Sequence, residues 1–449
     1  TTRPFAQAKS MQVASTSYGA ACNVIEYISA AESRRWGKHG KPVDIDKRQG
    51  HRAMSLGMGL VGPGFIAAHH LDAVRRLGDV DIIGIAGSRL ESTTKRAREL
   101  NAGKPYADYR ELLADPAVQV VHNTTPNHLH REVSLAALRA GKHVISDKPL
   151  AATLQEAQEL YEAAREANLA HVVTFNYRGY PLVQQARAMV ADKKIGKTVF
   201  VHGCYLQDWL TDERAYSWRL DPKLGGASSA LGDIGSHWCD LAEHVTGARI
   251  VAVLADLHTV VPVRDAPDAS AKAFSGAATR SGKRRRITSE DLASVLLRFD
   301  NGARGCVTVG QVLPGHKNDL RLEVNGREGS LAWRQEQPNE LWLGHHDKAN
   351  QLLTRDPALM DPGARAYAHL PAGHPEAWAD AFRNVIADAY AWIRSGAKAK
   401  AKPFALPTFA DGYRNSLVVD AMLRSHAAGG AWQQVEDPLE PTRTTRKRG

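Results

Sequence analysis

One stretch of the sequence decides the fold: Leu56-Gly57-Met58-Gly59-Leu60-Val61-Gly62-Pro63-Gly64-Phe65-Ile66-Ala67. Its apolar first half predicts a short buried strand, and a helix is predicted to open at Ala67. Between them the pattern Gly-x-Gly-x-x-Ala gives a tight turn at Gly62 and a close approach of the backbone to a pyrophosphate at Gly64. Because such a hexamer also occurs by chance in loops, the strand and the helix beside it carry the interpretation. We predict a dinucleotide-binding turn whose cofactor contacts are Gly62, Gly64, Phe65 and Ile66.

The segments that follow this turn alternate between predicted strands and predicted helices. Strands are predicted at 80–86, 118–123, 141–146 and 171–176, and the helices between them include 67–77, 91–100 and 154–167. This alternation is typical of a parallel, doubly wound α/β sheet. After residue 176, short strands with alternating faces follow one another, which predicts a second domain built on an antiparallel or mixed sheet.

These changes of pattern divide the chain into four parts. We predict a nucleotide-binding domain over residues 54–176 and a second, α+β domain over residues 177–436, to which the family resemblance described below assigns substrate binding and oligomerisation. Residues 1–53 lack apolar periodicity, so we predict a dispensable disordered extension there. Residues 437–449 are predicted to form a basic, disordered tail.

The positive charge of the chain is concentrated at its ends. The formal net charge is +10, and residues 1–53 alone carry nine Lys and Arg against four Asp and Glu. Four more basic residues lie in 443–449, so the body is nearly neutral and we expect no nucleic-acid partner. A basic run at 283–286 lies within the segment 264–289, whose composition predicts a mobile, solvated insertion.

Other features of the sequence exclude further classes of protein. No run approaches the roughly 18 apolar residues that a membrane span needs, so we expect no membrane partner. The four cysteines have no metal-ligand spacing, which predicts reduced thiols, and we expect a cytoplasmic protein. No metal is expected, because the histidines lack an accompanying open ligand set: His69, His70, His128 and His130.

Three motifs carry chemistry. The segment 125–130 (Thr-Pro-Asn-His-Leu-His) follows the third strand and Asp147-Lys148-Pro149 follows the fourth, and ligands of open α/β sheets bind at these carboxyl ends. In the second domain, Asp233 and His237 would lie on one face of a helix opening near them. A carboxylate there can orient an imidazole that accepts a proton. The alternatives are a surface lysine, and an N-cap aspartate with a buried histidine.

Taken in order, these motifs and Ala140-Gly141-Lys142-His143-Val144 resemble the glucose-fructose oxidoreductase / inositol dehydrogenase / MocA family over residues 56 to about 435. The resemblance implies an N-terminal Rossmann domain and a C-terminal α+β domain with a large, open, mostly antiparallel sheet. It also implies an NAD(P)-dependent dehydrogenase of sugars or polyols that assembles as a homodimer or homotetramer. A weaker likeness, carried by segments 205–209 and 217–219, points to the levoglucosan dehydrogenase branch.

The resemblance also implies roles for individual residues. Lys148 matches the family's catalytic lysine, His237 its proton acceptor, and Asp233 the acid that positions substrate and histidine. Asp147 stands where the family usually has glutamate, so that side chain is one methylene shorter. The residues that would hold the cofactor in these motifs are Thr125, Pro126, Asn127, His130, Asp147 and Lys148.

Substrate contacts are predicted at a smaller set of side chains. Trp209, Tyr216 and Trp218 offer aromatic faces to a sugar ring, and Arg178 and His374 offer polar groups. Each of them also fits simple packing. Two other functions stay open at this point: a reductase of an anhydro-sugar ketone, and a catalytically inactive NAD(P)-binding sensor of metabolites.

The choice between NAD and NADP depends on the end of the second strand. An NAD-specific site places Asp or Glu there to bind the ribose 2′-hydroxyl, and that carboxylate repels a 2′-phosphate. Here the sequence has Ser88 and Arg89, which favours NADP because a hydroxyl and a guanidinium both donate to phosphate. The alternative is that Ser88 and Arg89 are an ordinary helix start. Some family members with similar strand ends also accept both cofactors.

Overall fold

The computed structural model describes residues 55–267, 282–397, 402–403 and 405–439. The predicted extension 1–53, the tail beyond residue 439 and the centre of the predicted insertion lie outside the described residues.

A six-stranded parallel sheet forms the first part of the molecule. Its strands are β1 (Leu56–Val61), β2 (Val80–Ala86), β3 (Lys104–Tyr106), β4 (Val120–Asn123), β5 (His143–Ser146) and β6 (His171–Val173). The helices that connect them are α1 (Ala67–Leu77), α2 (Leu90–Leu100), α3 (Tyr109–Ala114), α4 (Asn127–Arg139) and α5 (Leu154–Ala167). The strand order β3-β2-β1-β4-β5-β6 is that of a doubly wound Rossmann sheet, as the alternation predicts.

Both faces of this sheet are covered, because almost every residue of β1 is buried. Met58 and Leu60 pack into a core with α1, whereas Val61 belongs to the core on the opposite face. Continuous apolar runs are what a parallel strand buried on two sides requires. The sheet therefore leaves only its edges and strand ends for ligands.

A nine-stranded sheet dominates the second part. Its strands are β7 (Thr198–Leu206), β8 (Ile250–His258), β11 (Leu292–Phe299), β12 (Arg304–Gly310), β13 (Asp319–Gly326), β14 (Gly329–Arg334), β15 (Glu340–His345), β16 (Gln351–Thr354) and β17 (Gln433–Gln434). Between β8 and β11 stands a separate hairpin of β9 (Val263–Pro267) and β10 (Gly282–Arg286). The order β16-β15-β14-β13-β7-β12-β11-β8-β17 is antiparallel except where β7 pairs with β12.

The α-helices of the second part are α6 (Pro181–Ala191), α7 (Pro222–Gly225), α8 (Ser236–Thr246), α9 (Pro362–Arg365), α10 (Trp378–Arg394) and α11 (Phe409–Ala427). Of these, α6, α8 and α11 lie against the larger sheet and cover one of its faces. Along β11, Val295 and Leu297 are buried under the helices, while Leu296 between them is half exposed. The expected mostly antiparallel, open sheet is confirmed.

The helix α10 departs from the predicted two-part division of the chain. Its residues Phe382, Ile386 and Tyr390 join the core between β1 and α1 of the first sheet. The chain thus returns from the second sheet to complete the first. No pattern in the sequence indicates which of the two sheets α10 covers.

The predicted mobile insertion 264–289 is wrong at its two ends, where β9 and β10 form an ordered antiparallel hairpin. Arg264 explains the order. Its side chain is buried, its Nη1 donates to the carbonyl oxygens of Asp212 and Ala215, and its Nη2 lies 3.5 Å from Asp291. A buried guanidinium with these partners fixes the base of the hairpin.

Candidate active site

The turn after β1 leaves room for a pyrophosphate. Gly62 has φ of 100°, and a Cβ there would lie 2.6 Å from the backbone of Thr124. A Cβ on Gly64 would meet nothing within 4 Å, so that position faces open space. Helix α1 begins without a side-chain cap and without an acidic residue in its first turn, which leaves its N–H groups to an anion. The predicted cofactor contacts thus fit this group, with Phe65 exposed and Ile66 half-buried beside the turn.

The loop after β4 lies opposite this turn and is fixed by its own hydrogen bonds. Thr124 Oγ1 donates to the carbonyl oxygen of Gly62 at 2.6 Å. Thr125 Oγ1 donates to Asn123 Oδ1 at 2.7 Å, and Asn127 Nδ2 donates to the carbonyl oxygen of Gly225 at 2.9 Å. Pro126 is the N-cap of α4. The loop is thereby tied both to the glycine turn and to the second part of the molecule.

His130 joins two of the predicted cofactor loops instead of facing an open space. Its ring is buried, with Nδ1 2.7 Å from the carbonyl oxygen of Pro149 and Nε2 2.9 Å from that of Thr125. Both ring nitrogens are therefore engaged by the backbone. The structure gives His130 the role of holding the segment after β4 against the segment after β5.

Lys148 lies directly beyond β5, next to Asp147, whose Oδ1 accepts a hydrogen bond from Thr174 Oγ1 at 2.7 Å. The ammonium group of Lys148 donates to Asp233 twice, at 2.7 Å to Oδ1 and 2.8 Å to the backbone carbonyl oxygen. Asp233 belongs to a short π-helical turn, Leu231–Gly235, that runs into α8. This ion pair brings a residue of the first sheet together with one of the second part.

The sequence did not single out two further partners of Asp233. Gln311 Nε2 donates to Asp233 Oδ2 at 2.8 Å, and Arg219 Nε lies 3.3 Å from Oδ1. Gln311 directly follows β12 and Gln207 directly follows β7. Because these two strands pair parallel with Gly310 opposite Leu206, their carboxyl ends meet at one edge of the sheet. Only the pairing of strands reveals this neighbourhood.

Glu290 holds the turn that carries Asp233. One carboxylate oxygen of Glu290 accepts hydrogen bonds from Ser228 Oγ at 2.7 Å, Ser229 N at 3.0 Å and Leu231 N at 2.8 Å. These are backbone and hydroxyl donors at the start of the turn, where helical N–H groups otherwise lack partners. The position of Asp233 therefore depends on a residue 57 positions away, which no local motif indicates.

His237 is the second residue of α8 and is almost fully buried. Aromatic rings surround it, with ring centroids 4.8 Å from Tyr177, 5.8 Å from Phe175 and 6.3 Å from Tyr205. Its Nδ1 has no hydrogen-bond partner. The two oxygens of Asp233 are taken by other groups, so the expected carboxylate–imidazole hydrogen bond is not formed here.

The charges of the site fix the protonation of its groups. Burial lowers the pKa of His237 well below its ordinary value, and the charge of Lys148 lowers it further. Burial alone would raise the pKa of Asp233, but Lys148 and Arg219 hold it well below its usual range. Near neutral pH the site thus presents a neutral imidazole beside an ionised carboxylate and an ammonium group.

The remaining predicted substrate residues fall into two groups. Trp209 and Trp218 are half-buried in the segment after β7, where Trp209 Nε1 donates to Gln207 Oε1 and the ring of Trp218 lies against the Arg219 guanidinium, 4.6 Å away. Tyr216 lies between them in the sequence and packs in the same small apolar cluster as Trp209.

Arg178 and His374 have other partners. Arg178 is buried and forms an ion pair with Asp240 through two nitrogens, at 2.9 and 2.5 Å, and with Asp411 at 2.9 Å. This arrangement gives it a structural role in place of the predicted substrate contact. His374 is exposed in the loop before α10, with Nδ1 3.3 Å from the carbonyl oxygen of Ala372. Its predicted substrate contact stays a prediction.

The end of β2 carries no carboxylate. Gly87 follows the strand, and Ser88 and Arg89 are both exposed just before α2. A Cβ at Gly87 would lie 2.4 Å from Thr93 Oγ1, so the chain is tightly packed where it leaves the strand. The hydroxyl of Ser88 and the guanidinium of Arg89 are thus presented at the edge where a ribose would lie.

The described residues contain neither a candidate metal site nor a candidate membrane span. Within the described ranges, no three His, Cys, Asp or Glu side chains come together as a set that could hold a metal ion. Among the helices in those same ranges, none is long and apolar enough to cross a membrane.

Comparison with known proteins identifies both parts of the molecule. Residues 56–175 match the model of an oxidoreductase family with an NAD-binding Rossmann fold, and residues 183–332 match the GFO/IDH/MocA C-terminal domain. Levoglucosan dehydrogenase of Pseudarthrobacter phenanthrenivorans is 32% identical over 403 residues, covering 85% of this chain and 98% of that protein. A 1,5-anhydro-D-fructose reductase of Ensifer adhaerens is 34% identical over 191 residues, covering 42% of this chain and 55% of that one.

Solved structures agree with this. Levoglucosan dehydrogenase in complex with NADH and L-sorbose superposes with a TM-score of 0.76 at 31% identity, covering 85% of this chain and 99% of that one. An oxidoreductase domain protein from Kribbella flavida superposes with a TM-score of 0.77 at 34% identity, covering 86% and 100%. The chain belongs to the GFO/IDH/MocA family of oxidoreductases, and it is an NAD(P)-dependent dehydrogenase acting on CH–OH groups.

Proposed function

We propose that this enzyme oxidises a secondary alcohol of a sugar or polyol, with Lys148, Asp233 and His237 as its catalytic residues. The observation that carries the proposal is the ion pair between Lys148 and Asp233, which joins the end of β5 to the turn preceding α8. The neutral imidazole of His237 lies in that same turn region and is held by aromatic rings. We infer from this arrangement that the imidazole and the ammonium group act on one substrate.

In this mechanism each residue has one task. The substrate hydroxyl lies between Lys148 and His237, and His237 accepts its proton at the ring nitrogen that faces the cleft. Lys148 donates a hydrogen bond to the oxygen and stabilises the negative charge that develops there. Asp233 holds the ammonium group of Lys148 in place before the substrate enters. A bound nicotinamide cofactor supplies the hydride acceptor.

The residues that would hold this cofactor are those around the glycine turn and the following strand ends. They are Gly62, Gly64, Phe65, Ile66, Ser88, Arg89, Thr125, Pro126, Asn127, Asp147 and Lys148, with His130 behind them. We propose a preference for NADP over NAD, supported by the missing carboxylate at the end of β2. Levoglucosan dehydrogenase has been solved in complexes with NADH, so the preference is tested separately below.

The names of the relatives indicate the substrate class and leave the direction open. Levoglucosan dehydrogenase acts on an anhydro sugar, and the matching reductase acts on 1,5-anhydro-D-fructose. The second likeness favours a second candidate, the reduction of an anhydro-sugar ketone. A sensor without turnover is disfavoured, because the ion pair and the imidazole stand together in the site.

A panel of sugars tests the proposed function. Purified enzyme is mixed with NAD or NADP and with single sugars and polyols, including levoglucosan, and absorbance at the reduced-nicotinamide band is followed. The reverse direction uses reduced cofactor with 1,5-anhydro-D-fructose. We expect sustained turnover with at least one sugar. Cofactor binding without turnover across both panels would support the sensor and contradict the proposal.

A further inference from the structure

Arg219 has donors that the described contacts do not use. Its Nε lies 3.3 Å from Asp233 Oδ1, and its guanidinium lies against the ring of Trp218. Its Nη1 is buried without a hydrogen-bond partner. A buried, unpaired guanidinium N–H is costly, and a ligand that accepts a hydrogen bond there removes the cost. The side chain as a whole stays 22% exposed, so part of the guanidinium is open to a ligand although Nη1 is buried.

Two cations share the carboxylate of Asp233. Lys148 lies 2.7 Å and Arg219 lies 3.3 Å from the same oxygen, Oδ1. The other carboxylates placed at the site are engaged elsewhere, because Asp147 accepts from Thr174 Oγ1 and Glu290 accepts from the turn that precedes α8. An anionic group on the substrate would therefore add a second counterion for these two cations.

A second set of cations lies next to the segment that carries Arg219. Asp221 is two residues beyond Arg219, and its Oδ2 lies 3.6 Å from Arg285 Nη1 of β10. The other basic side chains of this strand are exposed, and the described contacts give them no ion pair: Lys283, Arg284 and Arg286. Asp265 of β9 is paired opposite Arg284 and Asp221 lies near Arg285, so the four basic residues of the strand are partly balanced and keep a net positive charge.

The hairpin is rigidly attached to the site. Arg264 of β9 donates to backbone oxygens at both ends of the segment 212–215, which leads to Trp218. Ile287, just after β10, packs in one small core with Leu210 and Leu220 from either side of that segment. The cations of β10 are therefore fixed beside the cleft instead of moving with a free loop.

We propose that the sugar substrate carries a negatively charged substituent, a phosphate or a carboxylate, and that Arg219 binds it; this inference rests on the proposed function. Arg219 offers the planar fork of donors that matches such groups. The exposed cations of β10 attract an anionic substrate over a longer distance and so raise its local concentration. Added salt screens this attraction.

Matched sugar pairs test this inference. Turnover is measured with D-glucose, D-glucose 6-phosphate and D-glucuronate, and with D-galactose, D-galactose 6-phosphate and D-galacturonate. We expect wild-type kcat/KM to be at least tenfold higher for an anionic member than for its neutral partner. Within each set, comparison of the sugar phosphate with the uronate shows whether a phosphate or a carboxylate is preferred. If a neutral member is preferred in both sets, or if none of the six is oxidised while the wider panel gives turnover, this inference fails and the proposed function stands. Absence of turnover on the wider panel as well would contradict the proposed function itself.

Variants of Arg219 test whether this residue binds the anionic group of the substrate. In Arg219→Gln the ratio of kcat/KM for the anionic over the neutral sugar should fall at least tenfold, chiefly through KM, and Arg219→Lys should restore part of it. A role limited to holding Asp233 would reduce both substrates equally and leave the ratio unchanged, which would overturn the inference. The control is Arg214→Gln, an exposed arginine in the same segment that pairs with Asp212 at 2.6 Å. It should leave the ratio as in wild type.

Discussion

At the scale of single residues, the site depends on hydrogen bonds that fix one carboxylate. Lys148 and Arg219 face one oxygen of Asp233, and Gln311 donates to the other. An amide is well suited to this task, because it adds a donor without adding charge. The polar contacts continue from Gln311 through Gln207, so this carboxylate is held from the sheet as well as from the lysine.

Removing the amide donor should show its contribution. In Gln311→Leu we expect kcat/KM to fall by about 10- to 100-fold, the value of a lost hydrogen bond to a charged group. Lys148 and Arg219 still hold the pKa of the Asp233 carboxyl below its usual range in this variant, so the carboxylate stays ionised and the pH–rate profile should keep its shape. The exposed Gln337→Leu serves as control. An unchanged kcat/KM together with reduced stability would show a purely structural role.

Our proposal assigns the choice between NAD and NADP to Ser88, the residue that follows β2 and Gly87. A carboxylate at Ser88 would accept hydrogen bonds from a ribose 2′-hydroxyl and repel a 2′-phosphate. We therefore expect wild type to prefer NADP in kcat/KM, and Ser88→Asp to reverse the ratio of NADP to NAD by at least tenfold. Steady-state kinetics with both cofactors measure it. Wild-type preference for NAD, or a ratio unmoved by the aspartate, would refute the assignment.

At the scale of helices and strands, the glycine turn and the positions of Lys148 and His237 were predictable, because each belongs to a local pattern at a strand end or helix start. Arg219, Gln311 and Glu290 were not. They reach Asp233 or its turn from distant segments, through strand pairing and loop packing that no short motif records. The hairpin of β9 and β10 was not predicted for the same reason. It is held by the buried side chain of Arg264, whose partner Asp212 lies in another segment.

The seam between the first sheet and α10 contains buried titratable groups. His70 of α1 and His122 of β4 have their Nδ1 atoms 2.9 Å apart, and His122 Nε2 lies 3.1 Å from Tyr390 Oη of α10. Burial lowers the pKa of His70 to about 4 and that of His122 well below its ordinary value. Both imidazoles are therefore neutral in the folded protein at pH 6.

This seam should make the fold sensitive to acid. Below the unfolded pKa of about 6.5, the unfolded chain binds protons that folded His70 does not, so the free energy of unfolding falls as pH falls from about 6.5 to 4, by about 1.4 kcal/mol per pH unit for each such group. Urea unfolding at several pH values measures the slope. His70→Gln should reduce the slope, and the exposed His346→Gln should not. Equal slopes in all three proteins would contradict this explanation.

At the scale of the whole molecule, the face of the large sheet that the helices leave uncovered is the surface on which we expect copies of the chain to pair. Apolar side chains lie exposed on its strands, namely Phe200 of β7 and Leu296 of β11, which the strand register places on the same face. Exposed apolar groups on a broad sheet are typical of an interface between subunits. The family likewise implies a dimer or tetramer.

The molar mass of the protein in solution tests this expectation directly. Size-exclusion chromatography with light scattering should give two or four times the mass of 48.9 kDa. The double variant Phe200→Glu and Leu296→Glu should move the equilibrium toward the monomer, because it places charge in an apolar contact. A control changes the exposed Leu359, which lies outside the sheet, to Glu. A monomeric wild type would contradict the expected assembly.

The most direct test of the central claim, that Lys148 and His237 from two parts of the fold act on one substrate, compares Lys148→Ala and His237→Ala with wild type. Binding of reduced cofactor is followed by fluorescence titration, and turnover by steady-state rates on a sugar that the wild type oxidises. Both variants should bind the cofactor with a Kd within a few-fold of wild type and lose at least about 10²- to 10⁴-fold in kcat, the contribution of a positioned proton-transfer group. Near-normal turnover in either variant would contradict the claim.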